Sequence, residues 1–310
     1  MEAATDVNIF DLFEKENKNQ FFLEAHDPDV NFFRSLKITS KYYNNKELSK
    51  LIETSPNNSF AILHINSRSL FHKVPVLEIL CYNTRNFFSM LLITETWLSE
   101  DTAPLIILPG YSFVYRNRIS GKGGGVAIFI RNDIHYRVRD DLCIANPVFD
   151  WLAIEMINKN GKKNIILNIY RPSDSDADVF LGNLNEFLAS INHKSDIYIG
   201  GDFNINLLNC GQLRTNFENT LLEHNLLPTI TRPTKMTKHS ATLIDNIFTN
   251  RYNNNVNGIL LDDFSDHFPI FTIFQSKLNL HKSIACTRNL KPRNVLSLTL
   301  ELGQMDWSTV

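Results

Sequence analysis

Five short polar clusters in this sequence could carry chemistry, because each lies at one end of an apolar stretch that is predicted to form a strand. Loops at strand ends are held rigidly by the sheet, and functional side chains are often found there in mixed α/β folds. The clusters are His64–Arg68, Ile93–Trp97, Asn168–Pro172, Ile199–Asn204 and Phe264–Pro269, with a sixth candidate at Thr242–Asn246.

The side chains in these clusters suit phosphodiester hydrolysis. The carboxylates are hard oxygen donors of the kind that Mg²⁺ prefers, and a histidine can donate to a phosphate oxygen or transfer a proton near neutral pH. Neutral amide and phenol groups could hold a non-bridging phosphate oxygen. Together they would supply a metal Lewis acid, a base for water and donors for the developing charge. The candidates are Asn66, Glu95, Tyr170, Asp202, Asn204, Asp245, Asp266 and His267.

Each cluster taken alone also has a purely structural interpretation. Glu95 could be a surface or capping carboxylate, and Gly-Gly-Asp-Phe-Asn at 200–204 could be a tight turn. Ser-Asp-His at 265–267 could simply open a strand, and Trp97 and Trp151 are predicted to lie in the core. The occurrence of five such clusters together favours the catalytic interpretation.

The elements between the clusters predict a mixed α/β domain with stacked sheets. The 22 Phe residues favour a thick aromatic core. Apolar spacing predicts helices over Val74–Tyr82, Asp178–Ile191 and Gln212–His224. Short apolar runs between turn signals predict ten strands. These are Phe60–Ile65, Met90–Thr94, Ser112–Tyr115, Val126–Ile130, Trp151–Ile157, Asn164–Tyr170, Asp196–Ile199, Thr242–Thr249, Ile259–Leu261 and Pro269–Phe274.

Composition changes along the chain predict three regions. Residues 1–58 are polar and are expected to form a partly ordered leader, with a short amphipathic helix over Lys46–Ile52. Residues 59–276 hold all the polar clusters, and residues 277–310 form a basic tail. The tail has no obvious stop signal at its end, as though the chain had been cut from something longer.

Charge and cysteine content limit the classes of protein to consider. The formal net charge of -2 gives no overall attraction to nucleic acid, so any such contact must come from a local basic surface. The four cysteines are widely spaced and without metal-ligand patterns, which predicts a reducing, intracellular compartment. The apolar stretches are too short to span a bilayer and the N-terminus lacks a signal-peptide pattern, so no membrane partner is expected.

The ordered series of motifs resembles the endonuclease/exonuclease/phosphatase family, which includes DNase I and the apurinic/apyrimidinic endonucleases. The resemblance spans about residues 58 to 275, and its finer features are similar to the endonuclease domain of non-LTR retrotransposon proteins of the jockey type. Those features are His-Ile-Asn-Ser-Arg-Ser-Leu at 64–70, Thr-Glu-Thr-Trp-Leu at 94–98, Gly-Gly-Gly-Val-Ala-Ile-Phe-Ile at 123–130, Tyr-Arg-Pro-Ser at 170–173, Thr-Arg-Pro-Thr at 231–234 and Ser-Ala-Thr-Leu-Ile-Asp at 240–245.

The resemblance implies a four-layer α/β/β/α sandwich and a role for each candidate. Glu95, Asn66 and Asp266 would bind Mg²⁺, or Mn²⁺ in its place. Asp202 would activate the attacking water, held by Asn204. Tyr170 and His267 would contact the scissile phosphate, Asp245 would orient His267, and cleavage would leave a 3′-hydroxyl. In a retrotransposon setting that hydroxyl would prime a reverse transcriptase, which would follow the basic tail and bring the element RNA, and the protein would act in the nucleus.

Double-stranded DNA is the expected substrate, contacted by basic loop residues near the site. These are Arg116, Arg118, Lys122, Arg131, Arg232 and Lys235, each of which could equally be a solvated surface charge. Arg68 departs from the repair enzymes, which resemble Asn-x-Asp at this point, and this argues against abasic-site specificity. Two alternatives stay open: another phosphodiesterase or phosphatase on the same fold, and an inactive retroelement-derived protein that only binds nucleic acid.

Overall fold

Two large β-sheets form the centre of the fold. The computed structural model describes residues 38–56, 59–119, 123–143, 146–157, 163–192 and 194–277. The seven-stranded sheet has the order β1-β14-β15-β2-β3-β5-β4, and the six-stranded sheet has the order β10-β13-β9-β8-β7-β6. The strands of the first are β1 (Ser40–Tyr43), β2 (Ser59–Asn66), β3 (Met90–Thr94), β4 (Tyr111–Arg116), β5 (Val126–Arg131), β14 (Val256–Leu260) and β15 (Ile270–Lys277). Those of the second are β6 (Tyr136–Val138), β7 (Asp150–Ile157), β8 (Lys163–Tyr170), β9 (Asp196–Asp202), β10 (Leu227–Pro228) and β13 (Asp245–Thr249).

Four helices and one small hairpin complete the described architecture. The helices are α1 (Asn45–Thr54), α2 (Val74–Asn83), α3 (Ala177–Ser190) and α4 (Gln212–Leu222). The hairpin pairs β11 (Lys235–Met236) with β12 (Ala241–Thr242). Short 3₁₀ turns lie at Phe71–Lys73, Ala103–Leu105 and Asp140–Leu142. None of the helices in the described part of the chain has the length and apolar character needed to cross a membrane.

Alternation of side chains along the strands divides the core into two layers. On β2, Ile62 points into a cluster that joins the two sheets, whereas Leu63 points into a second cluster on the other face. The second cluster includes Leu48 of α1 and Leu77 of α2. The first extends through the six-stranded sheet to apolar residues of α3 and α4, such as Phe180. The resulting order is helices, sheet, sheet and helices, which confirms the predicted four-layer sandwich.

The predicted helices and the ten predicted strands are all present within a few residues of their expected bounds, with one exception. The segment Thr242–Thr249, predicted as one strand, is divided between β12 and β13. Leu243 and Ile244 separate the two strands, and the backbone N–H of Leu243 donates to the side chain of Asn206 at 3.0 Å. This break turns the chain from the small hairpin into the six-stranded sheet.

The folded region extends further towards the N-terminus than residue 59. Strand β1 pairs in parallel with β14, from Ser40 opposite Asn257 to Tyr43 opposite Leu260, and so lies at the edge of the seven-stranded sheet. Helix α1 follows, and its Leu48 side chain is fully buried. Residues 40–54 therefore belong to the sandwich rather than to a leader. The rest of the predicted leader, residues 1–37, and the predicted basic tail from residue 278 onwards lie outside the described residues.

Candidate active site

Strand register brings the polar clusters to one edge of the two sheets. In the seven-stranded sheet, Asn66 at the end of β2 lies opposite Thr94 at the end of β3. In the six-stranded sheet, Asp202 at the end of β9 lies between Tyr170 of β8 and Asp245 of β13. Both sheets therefore present their polar ends at the same side of the sandwich, and the predicted convergence takes place there.

The glycine pair before Asp202 lies within a strand and does not form a turn. Strand β9 continues through Gly200 and Gly201 to Asp202. A Cβ atom at Gly201 would overlap the backbone carbonyl of Ile169, and one at Gly200 would overlap the side chain of Leu92 in the facing sheet. Only glycine permits these close approaches: Gly201 lies against the neighbouring strand β8, and Gly200 against the facing sheet directly behind the site.

The amide of Asn66 joins carboxylates from the two sheets. Its Nδ2 donates to Glu95 Oε1 and to Asp202 Oδ2, each at 2.8 Å. Asn66 and Asp202 are fully buried, and Glu95 is partly exposed at the mouth of the site. Two carboxylate oxygens are thus gathered on one neutral nitrogen in a poorly solvated position, where their mutual repulsion is weakly screened.

This donor set fits a divalent cation. Carboxylate oxygens are the ligands that hard cations prefer, and Glu95 and Asp202 each bring one to the Asn66 amide nitrogen. The side-chain oxygen of Asn66 accepts from the backbone N–H of Arg68 at 3.2 Å. A cation there would neutralise the charge of the two carboxylates. The carboxylates of Asp202 and Asp245 and a ring nitrogen of His267 also lie within 4.8 Å of one another and could hold a metal ion. In that second group a hydrogen bond to Asp245 already occupies His267 Nδ1.

The loop carrying Glu95 is held in an unusual conformation by the glycine run. Glu95 has a backbone φ of +50° and Trp97 one of +52°. The N–H groups of Thr96 and Trp97 donate to the carbonyls of Gly125 and Gly124, at 3.2 and 3.0 Å. A Cβ atom at Gly125 would lie 2.5 Å from Thr96 Oγ1, so the glycines allow this tight pairing. Left-handed non-glycine residues are uncommon and cluster at functional sites, in keeping with the predicted importance of Glu95.

Asp245 and His267 form a buried hydrogen-bonded pair. His267 Nδ1 lies 2.9 Å from Asp245 Oδ2 and 3.1 Å from Asp245 Oδ1, while Asp202 Oδ2 is 4.0 Å away. Thr234 Oγ1 donates to Asp245 Oδ2 at 2.6 Å. His64 lies on the other side, with its Nδ1 4.0 Å from Asp245 Oδ1. The pair leaves the Nε2 atom of His267 as the ring nitrogen that can face a substrate.

The electrostatics of this group follow from burial and the close pair. Burial disfavours the charged imidazolium of His267, but the charge and hydrogen bond of Asp245 outweigh burial and raise the pKa of His267 to about 9. The same interaction outweighs burial at Asp245, whose pKa is lowered. Burial, and then the charge of Asp245, raise the pKa of Asp202 above its ordinary range. A carboxylate with a raised pKa is a stronger base, and the role of Asp202 as the base for water stays a prediction.

Asn204 and Arg171 fix the loops that follow β9 and β8. Asn204, at φ +48°, donates from its side chain to the Arg171 carbonyl at 2.8 Å, and its backbone N–H donates to Asp202 Oδ1 at 3.1 Å. The buried guanidinium of Arg171 donates to the carbonyls of Phe203 at 3.0 Å and Pro172 at 2.8 Å. The two loops therefore form one hydrogen-bonded unit.

Tyr170 lies half-buried at the mouth of the site. Burial, followed by the charges of Glu95 and Asp202, raises the pKa of its phenol well above the ordinary range, so the hydroxyl stays protonated. A protonated phenol can donate to a phosphate oxygen, and this role for Tyr170 stays a prediction.

Asp266 lies between two cations. Its Oδ2 is 3.0 Å from Arg68 Nη1 and 2.9 Å from Lys235 Nζ. Lys235 Nζ also lies 3.0 Å from His267 Nε2. Lys235, predicted only as a DNA contact, is thus part of the site itself. The role of Asp266 as a metal ligand stays a prediction, because in this arrangement its carboxylate is used by Arg68 and Lys235.

The predicted DNA-contacting arginines are only partly near the site. Arg116 lies at the site end of β4 and pairs with Asp140 at 2.9 Å. Arg118 lies beside the glycine run and contacts Asp150 at 3.3 Å. Arg131 is at the opposite end of β5, where it donates to the carbonyl of Phe87 at 2.9 Å. Its prediction as a DNA contact of this site is therefore wrong, because a whole strand length separates it from the polar edge.

The two remaining basic residues predicted to contact DNA are Arg232 and Lys122. Arg232 donates to the carbonyl of Ser40 at 2.9 Å, and its guanidinium lies over the Tyr42 ring, 5.8 Å from the centroid. It therefore links the loop before the hairpin to strand β1. Lys122 lies outside the described residues.

Two residues near the site were not predicted. Trp97 was expected in the core, but its side chain is 45% exposed and its Nε1 donates to Glu95 Oε2 at 3.2 Å. Thr234 donates to Asp245, and the sequence pattern predicts no role for it. The position of Trp97 two residues after Glu95, outside any apolar period, was the available signal, and Trp151 is buried as predicted.

Comparison with known proteins agrees with this geometry. A family model described as the Endonuclease/Exonuclease/phosphatase family matches residues 24–267, a span that includes every candidate catalytic residue. No match was found among curated proteins.

Solved structures share the fold at low sequence identity. The endonuclease domain of TRAS1, a telomere-specific non-LTR retrotransposon, superposes with a TM-score of 0.57 at 15% identity, over 71% of this chain and 99% of that one. An AP endonuclease from Leishmania major gives 0.59 at 12% identity, over 72% and 90%. A 3′ phosphatase from Neisseria, bound to a product DNA hairpin, gives 0.51 at 18% identity, over 69% and 99%. At these identities the likeness concerns the fold.

Proposed function

Because the chain belongs to the endonuclease/exonuclease/phosphatase family, we propose that it is a magnesium-dependent endonuclease that nicks double-stranded DNA and leaves a 3′-hydroxyl. The observation that carries the proposal is the meeting of two carboxylates on the Asn66 amide, next to the buried Asp245–His267 pair. This arrangement would provide an oxygen-donor site, a base and a histidine for the phosphate at one edge of the two sheets.

The side chains can perform the hydrolysis with a simple balance of atoms. Asp202 takes a proton from the attacking water, and the water oxygen bonds to phosphorus. The P–O3′ bond breaks, and the departing oxygen takes a proton from solvent. His267 donates to a non-bridging oxygen, while Asp245 keeps the imidazole oriented. The products are a 3′-hydroxyl and a 5′-phosphate.

Glu95 would hold the divalent cation, with Asn66 and Asp266 as further candidate ligands. When bound, Mg²⁺ or Mn²⁺ would supply Lewis-acid stabilisation of the phosphate and of the leaving oxygen. The chain's own contribution is to keep the oxygen donors close together. The hydrogen bond from Trp97 to Glu95 Oε2 limits the rotation of that carboxylate.

The choice of DNA as substrate is supported by the relatives. The TRAS1 domain comes from a retrotransposon, and the Neisseria enzyme was solved with DNA. We further propose that nicking serves target-site cleavage of a retroelement in the nucleus, with the 3′-hydroxyl priming a reverse transcriptase that carries the element RNA. Arg116, Arg118 and Arg232 are proposed contacts to the DNA backbone near the site.

A plasmid assay tests the function. Supercoiled plasmid with Mg²⁺ should become open circular with the wild type, and EDTA should abolish the conversion. Asp202→Ala should slow nicking at least about a hundredfold, since general bases contribute roughly 10²–10⁴ in rate. Asp178→Ala, an exposed carboxylate on α3, is the matched control and should nick normally. Extension of the nick by a DNA polymerase would report the 3′-hydroxyl.

The same assay separates the alternatives. Equal nicking rates for wild type and Asp202→Ala would remove the claim of an enzyme and favour an inactive protein that only binds nucleic acid. Hydrolysis of a phosphoinositide, of sphingomyelin or of a DNA 3′-phosphate, with plasmid left intact, would point to another activity on the same fold. The last substrate is included because a 3′ phosphatase is among the similar structures.

A further inference from the structure

We propose that Lys235 is a further catalytic residue, whose ammonium group contacts a non-bridging oxygen of the scissile phosphate beside His267. The proposal rests on the proposed function, because it assigns a role within the same site. It differs from the prediction of a general DNA contact, which would place the lysine on the flanking backbone of the duplex.

The hydrogen-bonding capacity of the lysine supports this role. Lys235 Nζ lies 3.0 Å from His267 Nε2 and 2.9 Å from Asp266 Oδ2. An ammonium group has three N–H donors, and Asp266 Oδ2 accepts one of them, so donors remain for a substrate oxygen. His267 Nε2, a donor in the proposed reaction, accepts none of them. His267 Nδ1 is held by Asp245 at 2.9 Å, which directs Nε2 towards the lysine. The two nitrogens therefore face the same small volume.

The backbone around Lys235 is fixed to the catalytic loop. The N–H of Phe268 donates to the Thr234 carbonyl at 2.8 Å, immediately after His267. The Thr234 N–H donates to the Thr242 carbonyl at 2.9 Å, and the Thr234 hydroxyl donates to Asp245. Lys235 thus follows a residue bonded on three sides. These bonds fix the backbone next to Lys235, and with it the position from which the ammonium group reaches the site.

The charges around Asp266 are suited to a phosphodiester. Arg68 and Lys235 both contact Asp266 Oδ2, so two positive charges share one negative charge. One positive charge remains uncompensated within this trio. A phosphodiester carries a single negative charge and would balance it. The side chains of Lys235 and Asp266 are about one-third exposed, so a substrate can reach them from solvent.

Steady-state kinetics of Lys235→Met on a nicking substrate test the proposal. A donor that acts on charge developing in the transition state should lower kcat about a hundredfold and leave KM within about threefold. Lys50→Met, which removes an exposed lysine from α1, should leave both constants unchanged. A rise in KM with kcat unchanged, or no change in either, would show an ordinary backbone contact or none and overturn the proposal.

Chemical rescue provides a second readout that does not depend on the folding of one variant. Lys235→Cys treated with 2-bromoethylamine regains an ammonium at nearly the same position and should recover kcat at least tenfold over the untreated variant. Wild type treated in the same way controls for the other cysteines. Absence of recovery in a variant that melts normally would count against the proposal. If wild type itself fails to nick DNA, the proposed function fails and this assignment falls with it.

Discussion

Neutral donors placed between carboxylates hold the site together at the level of single side chains. Asn66 bonds Glu95 and Asp202, and Thr234 bonds Asp245. Each neutral group satisfies a carboxylate oxygen, and leaving those of the buried Asp202 and Asp245 unpaired would be costly. A hydrogen bond to a charged group contributes roughly 1.5–3 kcal/mol, so loss of either uncharged residue should disturb the acids that it holds.

Thr234→Val should impair catalysis without impairing DNA binding. The change removes the donor to Asp245 Oδ2 and leaves the backbone N–H of Asp245, which lies 3.2 Å from Thr234 Oγ1, without that acceptor. Asp245 then holds His267 less firmly. We expect kcat to fall about ten- to a hundredfold with KM nearly unchanged, measured by plasmid nicking. Thr234→Ser keeps the hydroxyl and should restore most of the rate; equal loss in both variants would contradict the positioning role.

The residue types that do chemistry could be predicted because they end apolar strands. Asp202 is the last residue of β9 and Glu95 comes directly after β3, so sheet geometry brings them near each other. Lys235 opens a two-residue strand that has no apolar period, and Thr234 directly precedes it. Their contacts to Asp245 and His267 depend on a hairpin that the sequence pattern does not reveal. The prediction for Arg131 was wrong because the sequence indicates that this residue ends a strand, but it does not indicate at which end of the sheet the site lies.

At the level of elements, the first strand and helix are integral to the seven-stranded sheet. Strand β1 covers the edge of β14, and α1 begins with a capping box in which Asn44 accepts from the backbone N–H of Glu47 and the Glu47 side chain accepts from that of Asn44. Strand β1 could not be predicted because it is four residues long, with two polar residues and two tyrosines. Its pairing partner lies more than two hundred residues away, and local patterns carry no information about that contact.

Leu48→Ala should lower the free energy of unfolding by about 2–5 kcal/mol. The Leu48 side chain is fully buried against the second core cluster, so truncation removes apolar contact and leaves a cavity. Urea unfolding followed by circular dichroism would measure the loss. Lys50→Ala on the same helix is exposed and should change stability by less than about 0.5 kcal/mol. A small loss for Leu48→Ala would mean that α1 contributes little to the fold.

At the level of the whole molecule, a nearly neutral protein must attract a polyanion through local charge. The formal net charge is -2, yet Arg68, Lys73 and Lys235 lie close to the site. Lys73 donates to the Ser67 carbonyl and lies above the Phe264 ring at 5.4 Å. Attraction is therefore expected to be short-ranged, since exposed charges more than about 10 Å apart are screened at moderate salt.

DNA affinity of the inactive Asp202→Ala variant should depend only moderately on salt. With about three or four phosphates neutralised, a plot of log affinity against log salt should have a slope of about -3. Arg68→Gln should reduce the magnitude of the slope by about one. Arg85→Gln, an exposed arginine at the opposite end of the sheet, should leave it unchanged. Fluorescence anisotropy with a labelled duplex gives the slopes, and equal effects of the two variants would place the DNA elsewhere.

The buried guanidinium of Arg171 has a consequence for how the candidate active site could be re-engineered. The Arg171 side chain links the segment after β8 to the segment after β9. The two segments, which lie next to Tyr170 and carry Asn204, therefore behave as one structural unit. Replacing either segment alone with that of a relative would leave the buried guanidinium without its hydrogen-bond acceptors. A successful transplant of cleavage preference would need both segments moved jointly, together with the arginine.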